Sequence, residues 1–278
     1  MKIKIVADSS SDVLKLDGVD FESAPLKIIT REKEFVDDTE LDVYEMVNFL
    51  SEYKGKSSTS CPNQNDWLKA FSDSDIIYCI TITSTLSGSY NAAMLAKNQY
   101  EEMHPDRKVF VFNSMSTGPE MALIIDRIRD LVIAGKEFDF VCKEIEEYSK
   151  SLGLIFVLES MRNLANNGRI GHLAARMAGI LGIRAIGKAS VRGDLEMLEK
   201  SRGESRTLQA MMDILKREGI AGKKVKITHN FNEGMSYKLK DLILSDFPHA
   251  DVEIYESRGL CSFYEEKGGM IIGFEKNI

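Results

Sequence analysis

Short apolar runs at residues 3–7, 76–82 and 109–112 are each followed by a stretch whose apolar positions recur at helical spacing, a strand, turn, helix rhythm that fills the first half of the chain. Strands that are apolar at consecutive positions belong to a sheet covered on both faces, and their alternation with helices predicts a parallel one. Each run leads into a cluster of small hydroxyl and acidic residues: Asp8-Ser9-Ser10-Ser11-Asp12, Thr83-Ser84-Thr85-Leu86-Ser87-Gly88-Ser89, and Asn113-Ser114-Met115-Ser116-Thr117-Gly118-Pro119-Glu120. A fourth cluster, at 57–66, precedes a helical pattern at 67–71, and no clear strand leads into it.

The rhythm changes after Ile155-Phe156-Val157-Leu158, where a glycine-rich stretch with Gly168, Gly171, Gly179 and Gly182 begins. Beyond it, apolar residues at 185–191 and 195–198 flank Arg192-Gly193-Asp194, a turn of the kind that closes an antiparallel hairpin. Helices are predicted at 207–218 and 233–245, and strands at 225–228, 252–255 and 270–274. The pattern predicts an α/β chain of two domains. Residues 1–155 form an N-terminal parallel-sheet α/β domain carrying the hydroxyl-rich loops, and 156–278 a C-terminal α+β domain with a mostly antiparallel sheet.

Of the 278 residues, 44% are hydrophobic and 28% charged, the composition of a chain with a packed core. A net charge of −7 removes the broad attraction that nucleic acid or an anionic membrane surface requires, so neither is an expected partner. No apolar run approaches the roughly 20 residues that cross a bilayer, so stable membrane insertion is not expected and any lipid handled meets the protein in water. The chain opens directly into a strand pattern without a signal sequence, and Cys61, Cys79, Cys142 and Cys261 show no paired spacing; both fit a reduced cytoplasm. His104, His172, His229 and His249 are far apart, so no metal site and no cofactor are expected.

A helix start leaves backbone N–H groups unpaired, so a Ser or Thr there either caps the helix or helps to hold an anion. Thr117 to Glu120 has capping-box spacing, and Asn63 with Asp66 a related one. In a parallel sheet, however, the C-terminal strand ends share one edge, and loops from neighbouring strands converge on a common crevice. That crevice offers neutral donors and helix ends without a glycine-rich phosphate loop, which disfavours nucleotides. A carboxylate needs only about two to four donors, and Thr59, Ser60, Ser87 and the amide of Gly88 can supply them.

At these loops the sequence resembles the DegV family. The resemblance rests on Asp8-Ser9-Ser10-Ser11-Asp12, Pro25-Leu26-Lys27-Ile28, Thr59-Ser60-Cys61-Pro62 and Leu86-Ser87-Gly88-Ser89-Tyr90-Asn91, then on Ser114-Met115-Ser116-Thr117, Gly168-Arg169-Ile170 and Gly268-Gly269. It implies a non-catalytic fatty acid-binding protein, the acyl-carrying subunit of a bacterial fatty acid kinase. A long-chain fatty acid would lie in a tunnel between the two domains, and a separate kinase would phosphorylate its carboxylate to an acyl phosphate. Thr59, Ser60, Ser87 and Gly88 would grip the head group, with Ser116, Thr117, Arg169 and Tyr264 completing the ligand set, and Arg202 falls where the family's kinase-contacting arginine would lie. Three departures stand out. Cys61 replaces the family's Gln, Asn113 its Asp, and Tyr264 the His beside the acyl carboxylate. Tyrosine donates a hydrogen bond but brings no imidazolium charge.

Two other readings remain open. Ser87 or Cys61 can be the nucleophile of a hydrolase or acyl transferase, although the serine lacks the first glycine of Gly-x-Ser-x-Gly. Alternatively the crevice takes a different carboxylate. Arg169 can either counter the head group or steady a loop.

Overall fold

The computed structural model describes residues 1–170 and 182–277, so Gly171, His172 and Gly179 lie outside the described residues. Strands β1 (Ile3–Asp8), β2 (Asp20–Ala24), β6 (Ile76–Thr81) and β7 (Lys108–Asn113) form a parallel sheet in the order β2-β1-β6-β7. Ile5, Ala7, Tyr78 and Ile80 pack against α4 (Gly118–Ile133) and α5 (Phe138–Lys150). Their neighbours Val6, Ile77 and Cys79 pack the other way, against α2 (Gln64–Phe71) and α3 (Ser89–Met103). This burial of both faces is why the strands read as unbroken apolar runs. Strand β2 escaped that reading because it is an edge strand with only Ala24 fully buried.

The second sheet contains β8 (Leu152–Leu158), β9 (Ile183–Ala189), β10 (Leu195–Arg202), β11 (Ile220–His229), β12 (Asp251–Glu256) and β13 (Met270–Lys276), in the order β10-β9-β8-β13-β11-β12. Every pairing except β11 with β12 is antiparallel, and β9 and β10 form the expected hairpin. Helices α7 (Glu204–Arg217) and α8 (Glu233–Asp246) cover the outer face. A division at residue 155 falls inside β8; the chain passes from the first sheet to the second at Ser151, between α5 and β8.

A third, small sheet had no sequence signal. Strands β3 (Lys27–Ile29), β4 (Glu34–Val36) and β5 (Ser58–Ser60) pair antiparallel with β3 in the centre, and β5 is itself part of the fourth hydroxyl cluster. Ile28, Phe35, Met46 of α1 (Val43–Glu52) and Phe263 of α9 (Gly259–Glu265) form its core. A short helix, α6 (Arg162–Asn166), follows β8. Among the described residues no helix is long and apolar enough to cross a membrane.

Helix α4 joins the two halves. It touches β1 and β6 on one side and β8, β11 and β13 on the other, with all of its first eight residues buried. Close packing at its N-terminus needs Gly273, where a Cβ would stand 2.5 Å from the backbone nitrogen of Glu120. Neither backbone can yield without moving a sheet. Gly273→Ala is therefore expected to lower stability by about 1–3 kcal/mol, read by urea unfolding; an unchanged midpoint would contradict this close approach.

Candidate functional site

Between the sheets lies a cavity of about 300 Å³, at the small end of the range for ligand sites. Side chains alternate across a strand, and β8 divides its residues accordingly. Ile155 and Val157 enter the outer core under α7 and α8, while Leu154, Phe156 and Leu158 wall the cavity. Ile271 of β13 and Leu164 of α6 extend that wall, and Leu26, Ile82 and Leu260 close the opposite side. A larger cleft of about 1090 Å³ lies beside it, sharing Leu154, Arg169 and Leu195, but its walls carry scattered charges of both signs such as Lys188, Arg192 and Glu218. Of these two, the smaller cavity is the one that combines an apolar body with a cluster of hydroxyls.

That cluster is assembled from both halves of the chain. Thr59 on β5, with Ser60 and Cys61, meets Ser87 and Gly88 from the loop after β6, and Tyr264 on α9 faces them. The Thr59 and Tyr264 hydroxyls share a hydrogen bond of 2.7 Å. Ser60 sits opposite Lys27 in the β3–β5 ladder, and its hydroxyl has no hydrogen-bond partner among the described residues.

Four anchors fix the loop that carries Ser87. Asp8 is fully buried and its carboxylate accepts from Ser10, from the Ser89 hydroxyl at 2.6 Å and from the Ile82 amide at 2.9 Å. Asn113 accepts from the Ser84 amide at 3.1 Å and donates its own amide to the Ser84 hydroxyl at 2.7 Å, a donation that an Asp could not make. Thr85 donates to the Gly193 carbonyl at 2.7 Å, in the β9–β10 turn. Arg169 donates to the Leu86 carbonyl at 3.3 Å and to the Asn167 carbonyl. Arg169 therefore steadies the loop, and its charge also lies close enough to Tyr264 to favour the phenolate slightly.

Burial dominates the site's proton equilibria. It pushes the Tyr264 hydroxyl up despite the Thr59 hydrogen bond and the Arg169 charge, so Tyr264 remains a neutral donor. The Cys61 thiol is also pushed up by burial, with nearby Asp8 adding to the effect. That is opposite to the lowered value of an activated nucleophile. No histidine among the described residues lines the cavity to act as a base for Ser87 or Cys61. Glu265, sealed from water and held only by the Ser257 hydroxyl at 2.8 and 2.9 Å, is pushed up to about 8 by burial. At neutral pH the wall thus presents neutral donors, one guanidinium and little negative charge, which suits a small anionic head on an apolar body.

Of the residues singled out in the sequence, Thr59, Ser60, Ser87, Gly88, Thr117, Arg169 and Tyr264 line this cavity. Ser116 does not. Its buried hydroxyl donates to Glu120 at 2.7 Å, a scaffolding contact. Thr117 starts α4 without capping it, its hydroxyl instead reaching the Ser10 carbonyl at 3.3 Å, whereas Asn63 and Asp66 do form a capping box. Arg202 is the exposed last residue of β10, away from the cavity wall. The residues that sequence reasoning missed are the apolar wall and Glu265. Alternation along β8 was a usable signal for the wall, while Glu265 had none. Among the described residues no group of three His, Cys, Asp or Glu side chains could hold a metal ion.

Comparison with known proteins sets this geometry in context. The family profile described as "Uncharacterised protein, DegV family" matches residues 2–277. A DegV domain-containing protein of Streptococcus pneumoniae is 40% identical over 279 residues, 99% of each chain. The solved structure of the Streptococcus pneumoniae Fatty Acid Kinase (Fak) B3 protein loaded with linoleic acid matches with 40% identity and a TM-score of 0.97 over 100% of both chains. A DegV family protein from Eubacterium eligens loaded with heptadecanoic acid matches with 40% identity and a TM-score of 0.96, over 99% of this chain and 100% of that one.

The raised Glu265 has a consequence for stability. In the unfolded chain this carboxyl loses its proton near 4.5, and in the folded protein only near 8, so folding holds a proton throughout that window. Stability is therefore expected to fall as pH rises from about 4.5 to about 8 and to level off above it. Glu265→Gln, neutral at every pH, should make that decline shallower in urea midpoints measured across the window. An identical slope in both proteins would mean that Glu265 is ionised in the fold.

Proposed function

This chain belongs to the DegV family, and from that premise we propose that it holds a long-chain fatty acid between its two sheets and offers the carboxylate to a separate fatty acid kinase for acyl phosphate formation. The observation that carries the reading is an apolar cavity walled by Leu154, Phe156, Leu158 and Ile271, with Thr59, Ser60, Ser87 and Tyr264 gathered at its polar end. Two structures at 40% identity, loaded with linoleic and heptadecanoic acid, support it. In this reading residues 1–155 contribute the hydroxyl loops and residues 156–278 complete the tunnel. The chain's own contribution is position, the phosphoryl chemistry belonging to the partner, and the setting is the cytoplasm.

The division of labour follows from magnitudes. Burying an acyl chain stabilises the complex by about 0.8 kcal/mol per methylene, so about ten methylenes outweigh a hydrogen bond to a charged head group at about 1.5–3 kcal/mol. The tail supplies affinity and the head supplies orientation. Only one of the two hydroxyls donates in the Thr59–Tyr264 bond, so the pair keeps one O–H to offer a carboxylate, and both can donate once they turn to the ligand. Tyr264 provides the donor and Arg169 the nearby positive charge, which together cover what a histidine would supply.

Calorimetric titration with saturated acids of increasing length tests the proposal. Affinity should rise steeply with each added pair of methylenes, and Thr59→Val should weaken binding roughly tenfold at every length, the loss of one charge-assisted hydrogen bond. Arg202→Ala should leave binding intact and slow phosphorylation by a fatty acid kinase. Affinity independent of chain length, or preference for short polar acids, would overturn the carrier reading.

A further inference from the structure

Helix α9 carries Tyr264 to the polar end of the cavity, yet it has no cap of its own: Arg258 precedes it and makes no side-chain bond to its free amides. Those amides need acceptors because the helix start is buried. They find them on Asp37, immediately after β4, whose Oδ1 accepts from the Gly259 amide at 2.8 Å and whose Oδ2 accepts from the Leu260 amide at 2.9 Å. Asp37 is fully buried, does not line the cavity, and is itself fixed by its amide bonding to the Leu26 carbonyl at 2.9 Å. Gly259 lets the helix come this close, since a Cβ there would stand 2.5 Å from Leu41 and 2.7 Å from Asp37.

We propose that Asp37 is the positioning residue of the head-group site, setting Tyr264 against Thr59 through α9. This rests on the carrier reading and adds to it a residue that touches no ligand. Both members of the hydroxyl pair refer back to one small sheet. Thr59 lies on β5, opposite Ile28 of β3, and β3 pairs in turn with β4, which leads into Asp37. From Gly259 to Tyr264 the helix rises only about 7.5 Å, so a tilt at the cap arrives at the phenol almost undamped. Phe263, buried against Ile28, Phe35 and Met46, presses α9 onto the sheet, but an apolar contact is non-directional. Asn163 and Asn230 donate to the Phe263 and Ser262 carbonyls at 2.7 and 2.8 Å further along the helix, and the two carboxylate bonds set where it starts and how it is turned there.

The test compares oleic acid with oleyl alcohol, which shares the tail and lacks the carboxylate, so that the ratio of their dissociation constants isolates the head-group contacts. Wild type should favour the acid. Asp37→Asn, similar in size but able to accept from only one of the two amides in place, should cut that ratio several-fold while leaving alcohol affinity unchanged. In a Tyr264→Phe background the same substitution should have no further effect on the ratio. Asp37→Glu keeps the charge and both acceptors but displaces the helix, and should also lower the ratio; should Asp37→Asn not fold, this variant decides. A lowered melting temperature with an unchanged ratio, an equal drop in the Tyr264→Phe background, or a ratio preserved by Asp37→Glu would overturn the positioning role. A wild-type ratio near one would overturn the carrier reading itself, and this role with it.

Discussion

The hydrogen bond between Thr59 and Tyr264 joins a strand of the first half to a helix of the second, and the rest of the site is organised around it. Both hydroxyls are half-buried in a wall that is otherwise largely apolar, where an unpaired donor costs more than a made bond returns. Their shared bond uses one of the two O–H donors and leaves the other unspent. An anionic head that accepts from both gives each donor an acceptor, a pairing that the two hydroxyls cannot complete between themselves. The constraint also explains the investment of buried polar atoms behind the loops. Asp8 and Asn113 stand behind the wall and Arg169 lies in it, and all three hold Ser87 and its neighbours beside that hydroxyl pair.

The cavity exists because a two-residue period meets a two-sided environment. Along β8 one set of side chains enters the core beneath α7 and α8, and the other faces across to the first half. Helix α4 spaces the two sheets, and by its N-terminal end, where Thr117 reaches the cavity, the gap is lined by the short helices α6 and α9 together with the hydroxyl loops. There Leu154, Phe156 and Leu158 of β8 and Ile271 of β13 border the cavity with part of their surface. A lipid tail fills such a gap with the same apolar contacts that side chains would otherwise make.

Much of this was legible in the residues. Consecutive apolar strands predicted the doubly covered parallel sheet, the Arg192-Gly193-Asp194 turn predicted the β9–β10 hairpin, and the hydroxyl clusters expected to share a crevice bring Ser87 and Thr59 to one cavity, although Thr59 reaches it from the small sheet. What stayed hidden has physical reasons. Strands β3, β4 and β5 are three residues each, too short for a periodic signal. Ser116 and Thr117 looked alike in one hydroxyl cluster, yet a single step along the backbone turns one toward Glu120 and the other toward the cavity. The acidic residues Asp37 and Glu265 act through partners that no local pattern names, Asp37 through amides 222 and 223 residues away.

Native mass spectrometry of the protein purified from bacteria without added lipid measures the central claim most directly. The account predicts a population heavier than the chain by the mass of one fatty acid, released on unfolding. A chain that always flies bare, or one that carries only small polar acids, would contradict it.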